Sequence, residues 1–227
     1  MKRFLLILLS AALLLTFAAC GKDTNKKVTT AADKKTTTAV DKKTTTAADK
    51  KTDTVTVTPA EIEKKIADAV GADNYLCDSE IDKDWLTNSY GLDLSKIESY
   101  AAKQSSIPSI NLDVVIVLKA KDGYADEAAD LLNKSFAQTV DYIRQYPFGT
   151  AKVMNGRLYK SGNYVIYVIA GASYDGEDSE AEAKLAVSEY EKIDAAVKGV
   201  FGELPKNIAV IPEDDGNSGG LLGNSAN

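Results

Sequence analysis

Leu112-Asp113-Val114-Val115-Ile116-Val117-Leu118-Lys119-Ala120, then Asp122-Gly123, then a stripe of Ala125, Ala128, Leu132, Phe136, Val140 and Ile143, together decide the fold. The first stretch is β-branched and apolar at consecutive positions, which suits a strand covered on both faces rather than one with a wet side. Asp122-Gly123 is turn chemistry, because glycine adopts a positive φ at no steric cost. The stripe recurs every three or four residues, the period of a helix with one buried face. A strand over 112–120 and a helix over 124–146 follow. Pro147 stops that helix, since it cannot donate to the intrahelical ladder.

The same order recurs on the C-terminal side. A short strand at 157–160, a Ser161-Gly162 turn and a strong strand at 163–170 precede Ser179-Glu180-Ala181-Glu182, which reads as a helix cap. The helix behind it carries Ala183, Val187, Tyr190, Ile193, Val197 and Val200, and ends at Gly202 and Pro205. On the N-terminal side, a weak strand at 97–105 precedes the first strong one. Farther back, Thr58-Pro59-Ala60-Glu61 is a capping box with proline at the first helical position. It opens a helix with Ile62, Ile66 and Val70 on one face and Gly71 at its end. Between them, Tyr75-Leu76-Cys77 reads as a short strand and 82–90 as a short helix carrying Trp85 and Leu86.

The expected fold class is α+β: an antiparallel four-stranded sheet with helices packed on it, preceded by a short N-terminal helix. Its two strand-strand-helix units form a circular permutation of the ferredoxin-like order. The apolar strands 112–120 and 163–170 belong at the centre. The polar strands 97–105 and 157–160 belong at the edges, where unpaired backbone is tolerable. Tyr164-Val165-Ile166-Tyr167 is again apolar at consecutive positions, so the second face of the sheet needs a cover. The Ile62 helix with Trp85 and Leu86 is the expected one, ahead of a dimer partner or a ligand.

The chain of 227 residues is 44% hydrophobic, enough for one real core. It has no histidine, which removes Ser-His-Asp and Cys-His catalysis and imidazole-based zinc sites. Carboxylate, lysine or tyrosine chemistry is left. The formal charge is −6, unevenly spread: residues 1–58 carry +6, leaving −12 on residues 59–227. An acidic folded part argues against nucleic acid, whose phosphates need a concentrated cationic face.

The N-terminus reads as an address. Lys2 and Arg3 precede an almost wholly apolar run from Phe4 to Phe17, followed by Ala18-Ala19-Cys20-Gly21. This is the layout of a secretory signal peptide, and the run is shorter than the roughly 20 residues a membrane span needs. The small residues before Cys20 resemble a bacterial lipoprotein signal; Phe17 stands where leucine is commoner. That resemblance implies cleavage before Cys20 and a diacylglycerol on its thiol, with two acyl chains giving stable anchoring. Behind it lies a period-eight repeat, as in Asp41-Lys42-Lys43-Thr44-Thr45-Thr46-Ala47-Ala48. The period matches no coiled coil and offers no apolar stripe, so a disordered tether is expected, spanning roughly 35 Å on average. The domain reading is therefore a signal peptide at 1–19, lipidated Cys20 and tether at 20–58, one α+β domain at 59–211, and a disordered Gly/Ser/Asn/Asp tail at 212–227.

Tyr90-Gly91-Leu92-Asp93, the strand end Leu118-Lys119-Ala120-Lys121-Asp122, Tyr146-Pro147 and Gly162-Asn163-Tyr164-Val165 resemble, in order and spacing, the domain of unknown function 4358. The resemblance spans about residues 60–205. It implies a lipid-anchored bacterial surface protein, typically Gram-positive. It carries no catalytic residues onto this chain.

Candidate chemistry is sparse. The acidic loop Ser173-Tyr174-Asp175-Gly176-Glu177-Asp178-Ser179-Glu180 has oxygens for calcium but lacks the alternating spacing of a calcium loop. Carboxylates at a helix start are favoured by the helix dipole without any metal. Asp113 interrupts a central strand, and a surface strand end explains it; no acidic residue is expected in surroundings that would raise its pKa. Cys77, the second of two cysteines, reads as a small buried hydrophobe. Tyr142, Arg144, Tyr146 and Phe148 have the chemistry to stack on a sugar or peptide, although packing under a helix end also explains them.

No catalytic, cofactor or metal residue is assigned; the one site residue is Cys20, for lipid attachment. The expected function is a lipid-anchored module on the outer face of the cell membrane that binds a wall component or a protein. The alternative is a carboxylate-dependent envelope hydrolase. A two-lobed solute receptor does not fit a domain of this size.

Overall fold

The computed structural model describes residues 56–146 and 149–214. The signal segment, Cys20, nearly all of the repeat, Pro147, Phe148 and the tail from 215 lie outside the described residues. Helix α1 spans Pro59–Val70 and opens with the full capping box: Glu61 N donates to Thr58 Oγ1 at 3.3 Å, and Thr58 N donates back to Glu61 Oε2 at 2.8 Å. Gly71, at φ 88°, ends it. Then follow β1 (Ser79–Glu80), α2 (Lys83–Asn88), a 3₁₀ turn at Leu94–Lys96, β2 (Ile97–Gln104), β3 (Val114–Ala120) and α3 (Ala125–Ile143). The C-terminal half adds α4 (Thr150–Met154), β4 (Arg157–Ser161), β5 (Tyr164–Ile169) and α5 (Ser179–Phe201).

The sheet has five strands, not four, in the order β1-β2-β3-β5-β4, with every neighbouring pair antiparallel. The apolar strands β3 and β5 sit side by side at the centre. The extra strand is two residues long and pairs Ser79 and Glu80 with Gln104 and Lys103. Strand structure therefore falls at 79–80, not at Tyr75-Leu76-Cys77, because only that part meets the open edge of β2. The other edge is covered as well. Past α5 the chain lies along β4, where Ile208 N donates to Leu158 O at 2.8 Å and Asn207 Oδ1 accepts from Leu158 N at 3.0 Å.

Alternation along the central strands divides the core in two. Ile116 and Leu118 of β3 and Tyr167 and Ile169 of β5 face α3, whose Leu132, Phe136 and Val140 are wholly buried. Val115, Val117, Ile166 and Val168 point the other way, onto Ile62 and Ile66 of α1 and Tyr190, Ile193 and Val197 of α5. The domain thus covers both faces from its own chain. The Ile62 helix does this as expected, but its partner is α5: Leu86 lies on the α3 face and Trp85 stays half exposed. The two long helices take opposite faces.

Helix boundaries shift where capping chemistry decides them. Asp178, not Ser179, caps α5, its carboxylate accepting from Glu180 N at 2.9 Å and Ala181 N at 3.3 Å. The buried face of α5 runs Ala186, Glu189, Tyr190, Ile193 and Val197, so Ala183 and Val187 of the expected stripe face outward. α3 stops at Ile143 rather than continuing to 146. The five-residue α4 gave no periodic signal, being too short to show one.

Candidate functional site

Beyond the ends where β3 begins and β5 finishes, five segments meet: the 105–113 loop, the last turn of α3, α4, the β5–α5 loop and the first turns of α5. Between them lies a cavity of about 160 Å³, with Ile110, Leu112, Ile143, Val153 and Leu185 as apolar wall. Asn111, Lys152, Ser173 and Glu182 supply its polar lining. An apolar recess with a few convergent polar groups is the usual form of a small-molecule site.

Lys152 organises the polar end. Only 10% of its side chain is exposed, and its Nζ lies 2.5 Å from Oδ1 of Asp113, whose side chain is wholly buried. The ammonium also donates to Ser173 Oγ at 3.1 Å, Asn111 Oδ1 at 3.3 Å and Gly171 O at 3.4 Å. Tyr190 OH donates to the Lys152 carbonyl at 2.9 Å, fixing α4 against α5. Three polar atoms of the cluster, Asn111 Nδ2 and both Asp113 carboxylate oxygens, have no hydrogen-bond partner among the described residues, Asp113 Oδ1 meeting Lys152 as an ion pair alone. Asp113 is therefore not a surface strand end. Burial raises its pKa above the ordinary 3.8, while Lys152 and Asn111 pull the other way. The expectation that no carboxyl would be shifted upward is corrected at this one residue.

Gly171 explains how the β5–α5 loop passes so close. Its φ is 127°, and a Cβ there would come within 2.9 Å of Glu189 Cβ. Glu189 is itself buried, accepting from Ala172 N at 3.3 Å and from Lys192 Nζ at 2.5 Å. Glu182 reaches the opposite wall, where its Oε1 accepts from Ala151 N at 3.2 Å.

A second, more open groove of about 570 Å³ flanks α1 and includes Glu63, Tyr75, Cys77 and Lys103. Tyr75 OH donates to Glu63 Oε1 at 2.5 Å, and Lys103 Nζ lies 3.2 Å from the same oxygen. Cys77 is buried and unpaired, and burial, with Asp113 and Glu63 nearby, pushes its thiol far above the ordinary range. A thiol so held is a poor nucleophile.

The remaining candidates fall apart from one another. The acidic loop is exposed, and its Asp178 is occupied as the α5 cap. Tyr142 and Tyr146 pack on each other with ring centres 5.0 Å apart and remain 40% and 48% exposed, so they are not buried under the helix end. Arg144 donates to Asp141 Oδ1 at 3.1 Å and to the Pro212 carbonyl at 2.7 Å. Phe148 lies outside the described residues, as does Cys20. Among the described residues no group of three or more Cys, Asp or Glu side chains converges for a metal. No described helix is long and apolar enough to cross a membrane.

Lys152 was missed by sequence reading. Its partner was visible, since an aspartate beside Val114-Val115-Ile116 in a strand buried on both faces needs a counter-charge.

Comparison with curated proteins and with solved structures gives no match. The matched family region takes in β1 to β5, with both Asp113 and Lys152, and leaves out α1 and α5. That segment, residues 71–170, matches the model of the family described as Domain of unknown function (DUF4358).

Proposed function

We propose that this protein is a lipid-anchored extracytoplasmic module whose folded body binds a ligand or partner without catalysing a reaction. Support for the anchor comes from order along the chain: a basic start, an apolar run ending in Ala18-Ala19-Cys20, a polar repeat, then one α+β body. Two acyl chains on Cys20 would hold it at the outer face of the membrane. Its two strand-strand-helix units are read as permuted ferredoxin-like in strand order alone, since their helices take opposite faces.

The observation that carries the non-catalytic half is the Lys152–Asp113 pair. Lys152 is the amine beside the Ser173 hydroxyl, the arrangement a serine–lysine nucleophile would need. Its ammonium is already bound to a buried carboxylate at 2.5 Å. A general base needs a free lone pair, and an ammonium held this way has none. What remains is a small, shaped, polar-ended recess.

The alternative, a carboxylate-dependent hydrolase, draws on one observation, the raised pKa of Asp113. Against it, Asp113 sits behind Lys152, and Glu182 is the carboxylate in the cavity lining among the described residues. Hydrolysis of a glycoside needs two carboxyl groups facing a cleft, roughly 5–9 Å apart.

Fractionating cells that express wild type and Cys20→Ser tests the anchor. The wild type is expected in the membrane fraction and the variant outside it; equal membrane association of both contradicts the proposal. Turnover of wall fragments by the purified protein, abolished by Asp113→Asn or Glu182→Gln, would replace the module with the enzyme.

A further inference from the structure

We propose that the cavity beside α4 takes a small amphiphilic amine, a primary ammonium on an apolar body about the size of one side chain. This deepens the binding-module reading and rests on it. Size sets the first limit. The volume of about 160 Å³ is close to the ~150 Å³ apolar cavity known to accept a benzene ring, and well below the 300 Å³ or more of drug-sized pockets.

The walls set the second limit. Ile110, Leu112, Ile143 and Leu185 present carbon, so the ligand's body is a branched or cyclic hydrocarbon group. Charge sets the third. Lys152 and Asp113 form an ion pair at 2.5 Å, and the half-buried Glu182 is the carboxylate of the lining among the described residues. Glu182 Oε1 accepts from Ala151 N at 3.2 Å, which holds the carboxylate at the cavity wall. A cationic head is attracted there and a carboxylate repelled.

The test uses the full chain carrying Cys20→Ser, so that it is independent of lipidation. Leucinamide (a free amine), leucylglycinamide (a peptide N-terminus), leucine (a zwitterion) and isovalerate (an anion) are titrated while backbone amide resonances are followed. The two amides are expected to bind and to shift Ala151, Ser173 and Glu182; the tighter of the two identifies the source. Leucine is expected to bind more weakly and isovalerate not at all. Glu182→Gln, which keeps an acceptor for Ala151 N, should weaken amine binding about tenfold, the effect of losing one charge-assisted hydrogen bond. Leu185→Ala should weaken it without changing the preference for the amine. Isovalerate binding as well as leucinamide, an unaffected Glu182→Gln, or no binding by any of the four overturns this ligand. None of those results bears on the anchor, which stands or falls on Cys20.

Discussion

Replacing Lys152 by Met keeps the length of the side chain and removes its charge, leaving Asp113 buried without a counter-ion. The Asp113 side chain is 0% exposed and that of Lys152 10%, so solvent cannot take over the lost partner. Breaking a buried pair from one side costs about 3–5 kcal/mol, because an uncompensated charge remains. For a domain of this size that corresponds to a fall in Tm of roughly 6–20 °C. Ser173 Oγ and Gly171 O lose a donor in the same variant, which pushes the cost toward the upper end. The double variant Asp113→Asn/Lys152→Met removes both charges and should recover much of the loss. Urea denaturation of wild type, both single variants and the double variant measures the coupling. A Lys152→Met cost below about 1 kcal/mol, the range of exposed pairs, would refute the reasoning, as would a double variant no better than the worse single one.

Three further outcomes follow, two of them from the same region. Gly171→Ala forces a Cβ to within 2.9 Å of Glu189 Cβ at a φ of 127°, so thermal melting should show a loss of about 1–3 kcal/mol. Gly162→Ala, with no atom within 4 Å of its Cβ, carries only backbone strain and should cost less. Carboxyl resonances should show Asp113 titrating above 3.8 in the folded protein. The sign is then fixed: the native state holds this proton more tightly than the unfolded one. The stabilisation from that proton is full below 3.8 and is lost as pH rises through the folded value. A titration at or below 3.8 would mean that Lys152 outweighs burial.

Much of the fold was legible because the relevant signals are local. Val114 to Leu118 and Tyr164 to Ile169 are apolar at every position, and that alone demanded layers on both faces of the sheet. Thr58 and Glu61 announced α1 through a hydrogen-bond pair that needs only three residues' spacing. Where partners are distant, the same reading failed. Ser79–Glu80 has no strand pattern and becomes β1 only because β2 offers an open edge. The buried face of α5 was misphased at Ala183 and Val187, since its first turns extend beyond the sheet and the alternation of small and polar residues there is ambiguous.

The candidate site shows the limit more sharply. Asp113 stood out as a charge in an apolar strand, but only the fold brings α4 over it, and α4 is too short to be read from periodicity. Had the buried position been taken as the premise, a lysine or arginine partner would have followed from electrostatics, though not which one. Glu182 and Ser173 reach the cavity through the β5–α5 connection and the first turn of α5, and Gly171 permits that close passage.

Mass spectrometry of the protein extracted from its native membrane tests most directly whether this acidic body works from an outer-face anchor. The N-terminal peptide is expected to begin at Cys20 and to carry a diacylglycerol on its sulfur. An N-terminus at any other residue, or a Cys20 with a free thiol in the membrane-bound protein, would contradict it.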